Sequence, residues 1–332
     1  MAIQTGKGKG FEYATLYVFS EALKKNSMNV RVEETQSVYT AKSHFESQSE
    51  LDKKKMLLAA EAGVAPILRF EPNLSKGGEQ VNISIQSDGK GEAGDVRDVI
   101  FVKSETGWEI GISCKHNHHA LKHSRLSSTI DFGKSWLGHP CSQKYFEKVN
   151  VYFDRMRELR DETKDLPKEE QNKFATFYPK GQITELLYEP ILNAFRDELS
   201  RLAVEHTDVP QKLIEYLLGR KDFYKIIAEE KDERTIIQSF NLHNSLSASY
   251  LNVKPRNRTK KFENILPNRI YDFDFSPKTK TTLILVMDKG WTISFRIHNA
   301  SSRIEPSLKF DIQLVGIPPE ITNIEEYWGL DE

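Results

Sequence analysis

The chain has 332 residues, 38% apolar and 29% charged, a balance that argues against a disordered or membrane-embedded protein and allows one large domain or two modest ones. Its 47 lysines and arginines against 48 aspartates and glutamates leave a net charge of −1, which excludes a histone-like coat of positive charge but not a local basic face. No apolar run approaches the roughly 18 residues that cross a bilayer, the opening MAIQTGKGKGFEYATLYVF lacks the apolar core and cleavage site of a secretion signal, and two isolated cysteines, Cys114 and Cys141, suit a reducing compartment, so a cytoplasmic protein with no membrane partner is expected.

FEYATLYVFSEALKK puts Phe11, Ala14, Val18 and Ala22 on one stripe and predicts an amphipathic helix over residues 10–25. The GKGKG before it lacks the G-x-x-x-x-G-K-[ST] spacing of a phosphate loop and reads as flexible lead-in. SHFESQSELDKKKMLLAAEAGVAPILRF predicts a second helix that ends near Gly63, ahead of Pro66. VNISIQS alternates as a strand does, and DGKGEAGD follows as a glycine-rich turn. DVIFV (Asp98 to Val102) and WEIGISCK (Trp108 to Lys115), separated by KSETG, predict a hairpin.

LKHSRLSSTIDFGKSWLG reads as loop with a short helix, and residues 143–172 are heavily charged. Residues 181–240 keep helical spacing, as in ITELLYEPILNAFRDELSRLAVE and QKLIEYLLG. RIYDFDF, TTLILVMD, WTISFRIH and SLKFDIQLVG predict four strands joined at SPKTK, DKG and NASSRIEP. The pattern divides the chain into an α/β core over 1–150, a helical segment over 151–240 and a β-rich region over 241–332, compatible with one compact unit.

The hairpin gathers the candidate residues. Strand side chains alternate, so Glu109, Gly111, Ser113 and Lys115 share one face while Asp98 opens the preceding strand. Carboxylates at such a place suit magnesium, a hard cation that prefers oxygen ligands, and a lysine beside them suits the charge that builds on a phosphate under attack. On spacing alone, an acid and a lysine are also ordinary ends of a buried strand.

GDVRDVIF…WEIGISCKHNHHALKHSRLS resembles the catalytic hairpin of type II restriction endonucleases of the PD-(D/E)XK superfamily, and more narrowly the HaeIII family. GKGKGFEYATL, KDFYKI and FRIHNASSRIEPSLKFDIQLVG resemble that family's N-terminal helix, middle region and C-terminal strand pair. The resemblance implies a PD-(D/E)XK-like α/β fold, a mixed central sheet flanked by helices with a helical middle and a β-rich C-terminal region. It also implies Mg2+-dependent hydrolysis of double-stranded DNA at a short palindrome, GGCC, in a system with a companion DNA methyltransferase. A homodimer suits a two-fold target, and a monomer cutting each strand in turn is compatible with it too.

Carried over residue by residue, the resemblance makes Asp98 the metal-binding aspartate, with Asp95 its rival, and Lys115 the lysine. One position departs from the pattern: Ser113 stands where the superfamily has Glu or Asp, and a hydroxyl is a poor magnesium ligand. The second acid is then Glu109 or Glu12. Glu109 lies four residues from Ser113, about 13 Å at strand rise, too far to share one metal easily.

Four of the nine histidines, His116, His118, His119 and His123, follow the catalytic strand. With both cysteines isolated they fit a zinc site poorly. With Lys122 and Arg125 they read either as contacts to phosphates and bases or as solvated loop. KPRNRTKK, with Lys254, Arg256 and Arg258 among five cations in eight residues, fits the phosphate backbone or a solvated turn. Arg296, His298, Asn299 and Arg303 in RIHNASSR are candidate base readers, arginine suiting guanine, or else part of a turn. Two other readings stay open: a non-cleaving DNA-binding module whose Ser113 marks a decayed site, and a zinc-dependent hydrolase built on the histidines.

Overall fold

The first helix is longer than its apolar stripe predicts. In the structure, a computed structural model that describes residues 2–87, 95–117, 119–122, 124–179, 181–247 and 265–329, α1 (Ala2–Lys25) takes in GKGKG, the tract expected to be a flexible lead-in. Side-chain ties explain the extension: Lys7 Nζ pairs with Asp52 at 2.8 Å and Glu230 at 3.4 Å, and Lys9 with Glu12 at 3.0 Å. The predicted second helix is two, α2 (Gln36–Glu46) and α3 (Glu50–Phe70), because the Ser49 hydroxyl accepts the Asp52 N–H at 3.1 Å and starts α3 afresh. Nor does α3 stop at Gly63. A Cβ there would lie 2.9 Å from Ile226, so this glycine permits close packing rather than ending the helix. Pro66 stays inside because the same face buries Met56, Ala59, Val64 and Ile67, which offsets the cost of about 3 kcal/mol for an interior proline.

Two compact units result, each assembled from separated segments. The first comprises residues 1–119, 218–265 and 319–332. Its sheet runs β1 (Val30–Val32), β2 (Val81–Ile85), β3 (Val99–Lys103), β4 (Trp108–His116), β6 (Phe223–Glu229), β7 (Arg234–Phe240) and β12 (Asn323–Tyr327). The β1–β2 and β4–β6 pairs are parallel and the others antiparallel, so the sheet is mixed, as expected. Its strands come from all three stretches into which the sequence pattern divides the chain. β6 and β7 correct the helical reading of 181–240: FYKIIAE and RTIIQSF are β-branched runs around a charged turn, buried as strands. One core holds Phe11 and Phe19 of α1, Ile67 of α3 and Ile83, Phe101, Ile112 and Ile226 of the sheet; burying each such side chain contributes roughly 1.5–3 kcal/mol.

The second unit comprises residues 120–217 and 266–318. Its antiparallel sheet runs β5 (Arg125–Leu126), β11 (Leu308–Gly316), β10 (Thr292–His298), β9 (Thr279–Met287) and β8 (Ile270–Ser276). The four predicted C-terminal strands are these last four. Helices α4 (Gln143–Asp161), α5 (Glu189–Glu205) and α6 (Val209–Leu218) account for the charged stretch and for most of the helical spacing after it. Phe195 of α5 packs on Phe273, Phe295 and Phe310 of the sheet, with ring centroids 5.0–6.0 Å apart. Among the described residues no helix is long and apolar enough to cross a membrane.

Candidate active site

The β3–β4 register, Val99 opposite Ile112, carries one residue beyond the strand: the Asp98 N–H donates to the Ile112 carbonyl at 2.8 Å. The Asp98 carboxylate therefore lands on the far end of β4. Its Oδ2 accepts the Cys114 N–H at 2.7 Å, the Ser113 hydroxyl at 3.3 Å and the Lys115 ammonium at 3.4 Å. Ile110, Ile112 and Cys114 enter the core, which leaves Ser113 and Lys115 on the opposite face. Asp98 and Lys115, with side chains 22% and 26% exposed, stay within reach of solvent beside the buried Ile110–Cys114 stretch of β4. The hairpin thus brings together the aspartate, serine and lysine named from the sequence.

Burial acts to lower the Lys115 pKa, but the negative charge of the adjacent Asp98 opposes it and the net shift is upward. Lys115 remains a cation at neutral pH. Glu12 reaches the same cluster electrostatically from α1. Burial and then the charge of Asp98 push its carboxyl up to about 8, against the opposing pull of Lys9, 3.0 Å away, and of Lys115. A buried acid kept mostly protonated beside a second acid is a pair that a further cation would stabilise.

Glu109 belongs to another network. Its Oε1 accepts Arg97 Nη1 and Lys221 Nζ, each at 2.7 Å. The buried Arg97 also binds Asp95 through Nε and Nη2, both at 2.7 Å. Gly111 makes room for this: a Cβ there would lie 2.3 Å from Arg97 Cδ, so the arginine stem lies against the strand between Glu109 and Ser113. Of the candidate second acids, Glu12 is the one electrostatically coupled to Asp98, whereas Glu109 and the rival Asp95 are neutralised by Arg97.

The sequence reading missed Lys225. It lies on β6 directly across from Ser113 in parallel register, on the face that carries Lys115, and is 3% exposed. Its Nζ donates to the His119 carbonyl at 3.0 Å. Burial, reinforced by the charge of Lys115 and opposed by Asp98, lowers its pKa to about 7. The signal was present in KDFYKIIAE, where a lysine interrupts an apolar run; read with period two, Lys225 falls opposite the core-facing Tyr224 and Ile226.

The histidines disperse. His116 turns inward, buried against Phe11, with Nε2 2.9 Å from Glu230; burial lowers its pKa although Glu230 opposes this. His119 pairs with Glu229 at 2.7 Å. His118 and His123 lie outside the described residues. Among the described residues no three His, Cys, Asp or Glu side chains converge as a metal site.

The candidate DNA contacts of the second unit all have partners within it. Lys122 Nζ sits 3.9 Å from the Tyr216 ring centroid, and burial lowers its pKa. Arg125 reaches Glu305 at 3.2 Å and Ser307 at 2.9 Å. Arg296, 58% exposed, binds Asp311 at 3.0 Å, and Arg303 binds Gln171 at 2.9 Å. His298 Nδ1 lies 2.9 Å from the Asn299 carbonyl, and the Asn299 side chain accepts the Tyr188 hydroxyl at 2.9 Å. Lys254, Arg256 and Arg258 lie outside the described residues.

Comparison with known proteins gives the family. The sequence model of the HaeIII restriction endonuclease family matches residues 8–318. The type II restriction enzyme HaeIII of Haemophilus aegyptius is 40% identical over 326 residues, covering 97% of this chain and 97% of that protein. No solved structure matches.

Proposed function

This chain belongs to the HaeIII restriction endonuclease family and is a type II restriction endonuclease, a DNA-cleaving enzyme, and on that premise we propose that it cuts double-stranded DNA at GGCC in a Mg2+-dependent reaction centred on Asp98 and Lys115. The observation that carries the assignment is the convergence of Cys114 N–H, Ser113 and Lys115 on one oxygen of Asp98, with Glu12 coupled to it.

The donor set fits a hard divalent cation: two carboxylates, one of them held mostly protonated in part by the charge of the other. Asp98 and Glu12 would hold the ion. Bound there, Mg2+ supplies Lewis acidity toward the phosphate and lowers the pKa of water. The Cys114 N–H and the Ser113 hydroxyl orient the Asp98 carboxylate. Lys115, kept cationic by Asp98, is a poor proton acceptor; its ammonium donates to the attacking water or to a phosphate oxygen and stabilises negative charge as it develops. Ser113 supports Asp98 rather than replacing the missing acid, a role this reading gives to Glu12, on whose carboxyl the charge of Asp98 acts.

A palindromic target suits two-fold symmetry, so a homodimer is part of this reading, as is a companion methyltransferase that modifies the same sequence in the host. The deciding experiment is digestion of a sequenced plasmid with Mg2+, followed by mapping of the fragment ends. Ends at every GGCC, absent with Asp98→Ala, support the proposal. Ends elsewhere remove the GGCC assignment, and no fragments from a folded protein that binds DNA would favour the decayed-site reading. Stoichiometric zinc in purified protein, with cleavage lost in His119→Ala, would instead revive the zinc hydrolase.

A further inference from the structure

The charges around Asp98 do not balance. Lys115 is answered by Asp98 at 3.4 Å and Lys9 by Glu12 at 3.0 Å. Lys225 is different. Its Nζ donates to a main-chain carbonyl, that of His119, and among the described residues no carboxylate lies within ion-pairing distance of it. Holding a buried ammonium without a counter-ion is costly, and sheet faces ordinarily fill such a position with an apolar side chain. Anchoring alone does not account for it, since a neutral amide donor would serve the His119 carbonyl as well. The exit of β4 already has other ties: the Asn117 N–H donates to the Ala228 carbonyl at 2.8 Å, and the Asn117 side chain accepts the Glu230 N–H at 2.8 Å.

An unanswered cation on the face that holds Asp98 and Lys115 matches a ligand bearing one negative charge that gains more as it reacts. A phosphodiester does both, since it is a monoanion whose pentacovalent transition state carries additional charge. We propose that Lys225 is the second positive charge of the cleavage site, a positioning residue that acts on the phosphodiester through the low-dielectric sheet face while it holds the His119 main chain in place. The lowered pKa is consistent with this, because an arriving phosphate returns to the ammonium the stabilisation that burial removes. The inference rests on the reading of Asp98 and Lys115 as the cleavage site and adds to it a residue from a strand 110 positions beyond Lys115 in the chain.

The test compares wild type, Lys225→Met, Lys225→Gln, Lys225→Arg and Asp98→Ala in three measurements: thermal melting, binding of a GGCC duplex without divalent metal, and single-turnover cleavage of that duplex with Mg2+. Lys225→Met and Lys225→Gln are expected to cut about 30-fold or more slowly, and Lys225→Arg to stay within about tenfold of wild type, all three with duplex affinity within about threefold. Gln keeps a donor for the His119 carbonyl and loses the charge, so cleavage by Lys225→Gln at the wild-type rate overturns the proposal. So does a loss of duplex affinity that matches the loss of rate, which would make Lys225 a grip on DNA. Lower melting temperatures for both neutral variants, with cleavage restored below them, would assign the residue to the fold and overturn it too. If wild type cuts and Asp98→Ala cuts equally well, the underlying site assignment falls; if Asp98→Ala is inert and the neutral Lys225 variants cut normally, this inference alone falls.

Discussion

Two antiparallel strand pairs each carry residues named from the sequence, and they treat charge in opposite ways. In β3–β4 a single carboxylate, Asp98, accepts from two side chains and a main-chain N–H, and among the described residues no carboxylate lies within ion-pairing distance of Lys225 on the next strand. In β10–β11, Arg296 and Gln313 both bond Asp311, at 3.0 Å and 3.1 Å, and the arginine pairs with an acid directly across the register. Around the first pair a buried cation lies outside ion-pairing distance of any described carboxylate, whereas in the second the arginine and its acid answer each other. A charged residue on a strand is therefore weak information; a local surplus marks where an anion belongs. Base reading by β10–β11 would require exchanging existing bonds for bonds to DNA.

The sharpest way to break the comparison is at Asp98 and Lys115. Asp98→Ala and Lys115→Ala are each expected to slow single-turnover cleavage by about a thousandfold or more while specific duplex binding persists. Near wild-type cleavage by either purified variant removes the hairpin from the chemistry.

The two glutamates come next. Glu12→Gln should cost about 100-fold in cleavage rate, because it removes the carboxyl group that, with Asp98, would hold the metal ion. Glu109→Gln should leave the rate within about tenfold and lower stability instead, by about 1–2 kcal/mol, since the carboxylate answers Arg97 and Lys221. Denaturant melts beside single-turnover rates separate the two, and the reverse pattern would make Glu109 the second acid after all.

How legible these roles were follows from the physics of each signal. Asp98, Ser113 and Lys115 lie within one hairpin, where alternation and a short loop set who meets whom, so period-two reading suffices. Glu12 and Lys225 come from a helix and a strand that only tertiary packing brings to β4. Glu12 could be named but not ranked, and Lys225 lay in a stretch read as helical because Phe223, Ile226 and Ile227 also satisfy helical spacing. The same ambiguity hid β7, and β12 lay in a short acidic tail with no apolar run to mark it. Glu109 looked available because nothing local shows that Arg97, two residues past Asp95, folds back over Gly111.

A smaller effect is expected at the second strand pair. If Arg296 exchanges Asp311 for a guanine, Arg296→Ala should weaken binding to a GGCC duplex by about 2 kcal/mol and leave binding to an unrelated duplex unchanged. Equal losses on both duplexes, measured by titration at one salt concentration, would make it a phosphate contact.

The smallest effect concerns the pH dependence of stability, which tests the charge surplus without DNA. Lys225 has a folded-state pKa of about 7 against an ordinary value of 10.5. Between those values the unfolded chain holds a proton that the folded protein lacks, so this residue makes wild-type stability rise with pH across that window. Below about 7 both states are protonated and the burial penalty is felt in full; above 10.5 neither is and it vanishes. Glu12 has the opposite slope, since its raised pKa makes the folded state hold the extra proton between 4.5 and about 8. Wild type and Lys225→Met share Glu12, so their difference in unfolding free energy isolates the lysine. That difference should favour Lys225→Met most at pH 6 and shrink on the order of 1 kcal/mol by pH 9. A difference that stays flat from pH 6 to 10 would mean that an unseen anion already answers the ammonium, and the contrast between the two strand pairs would dissolve.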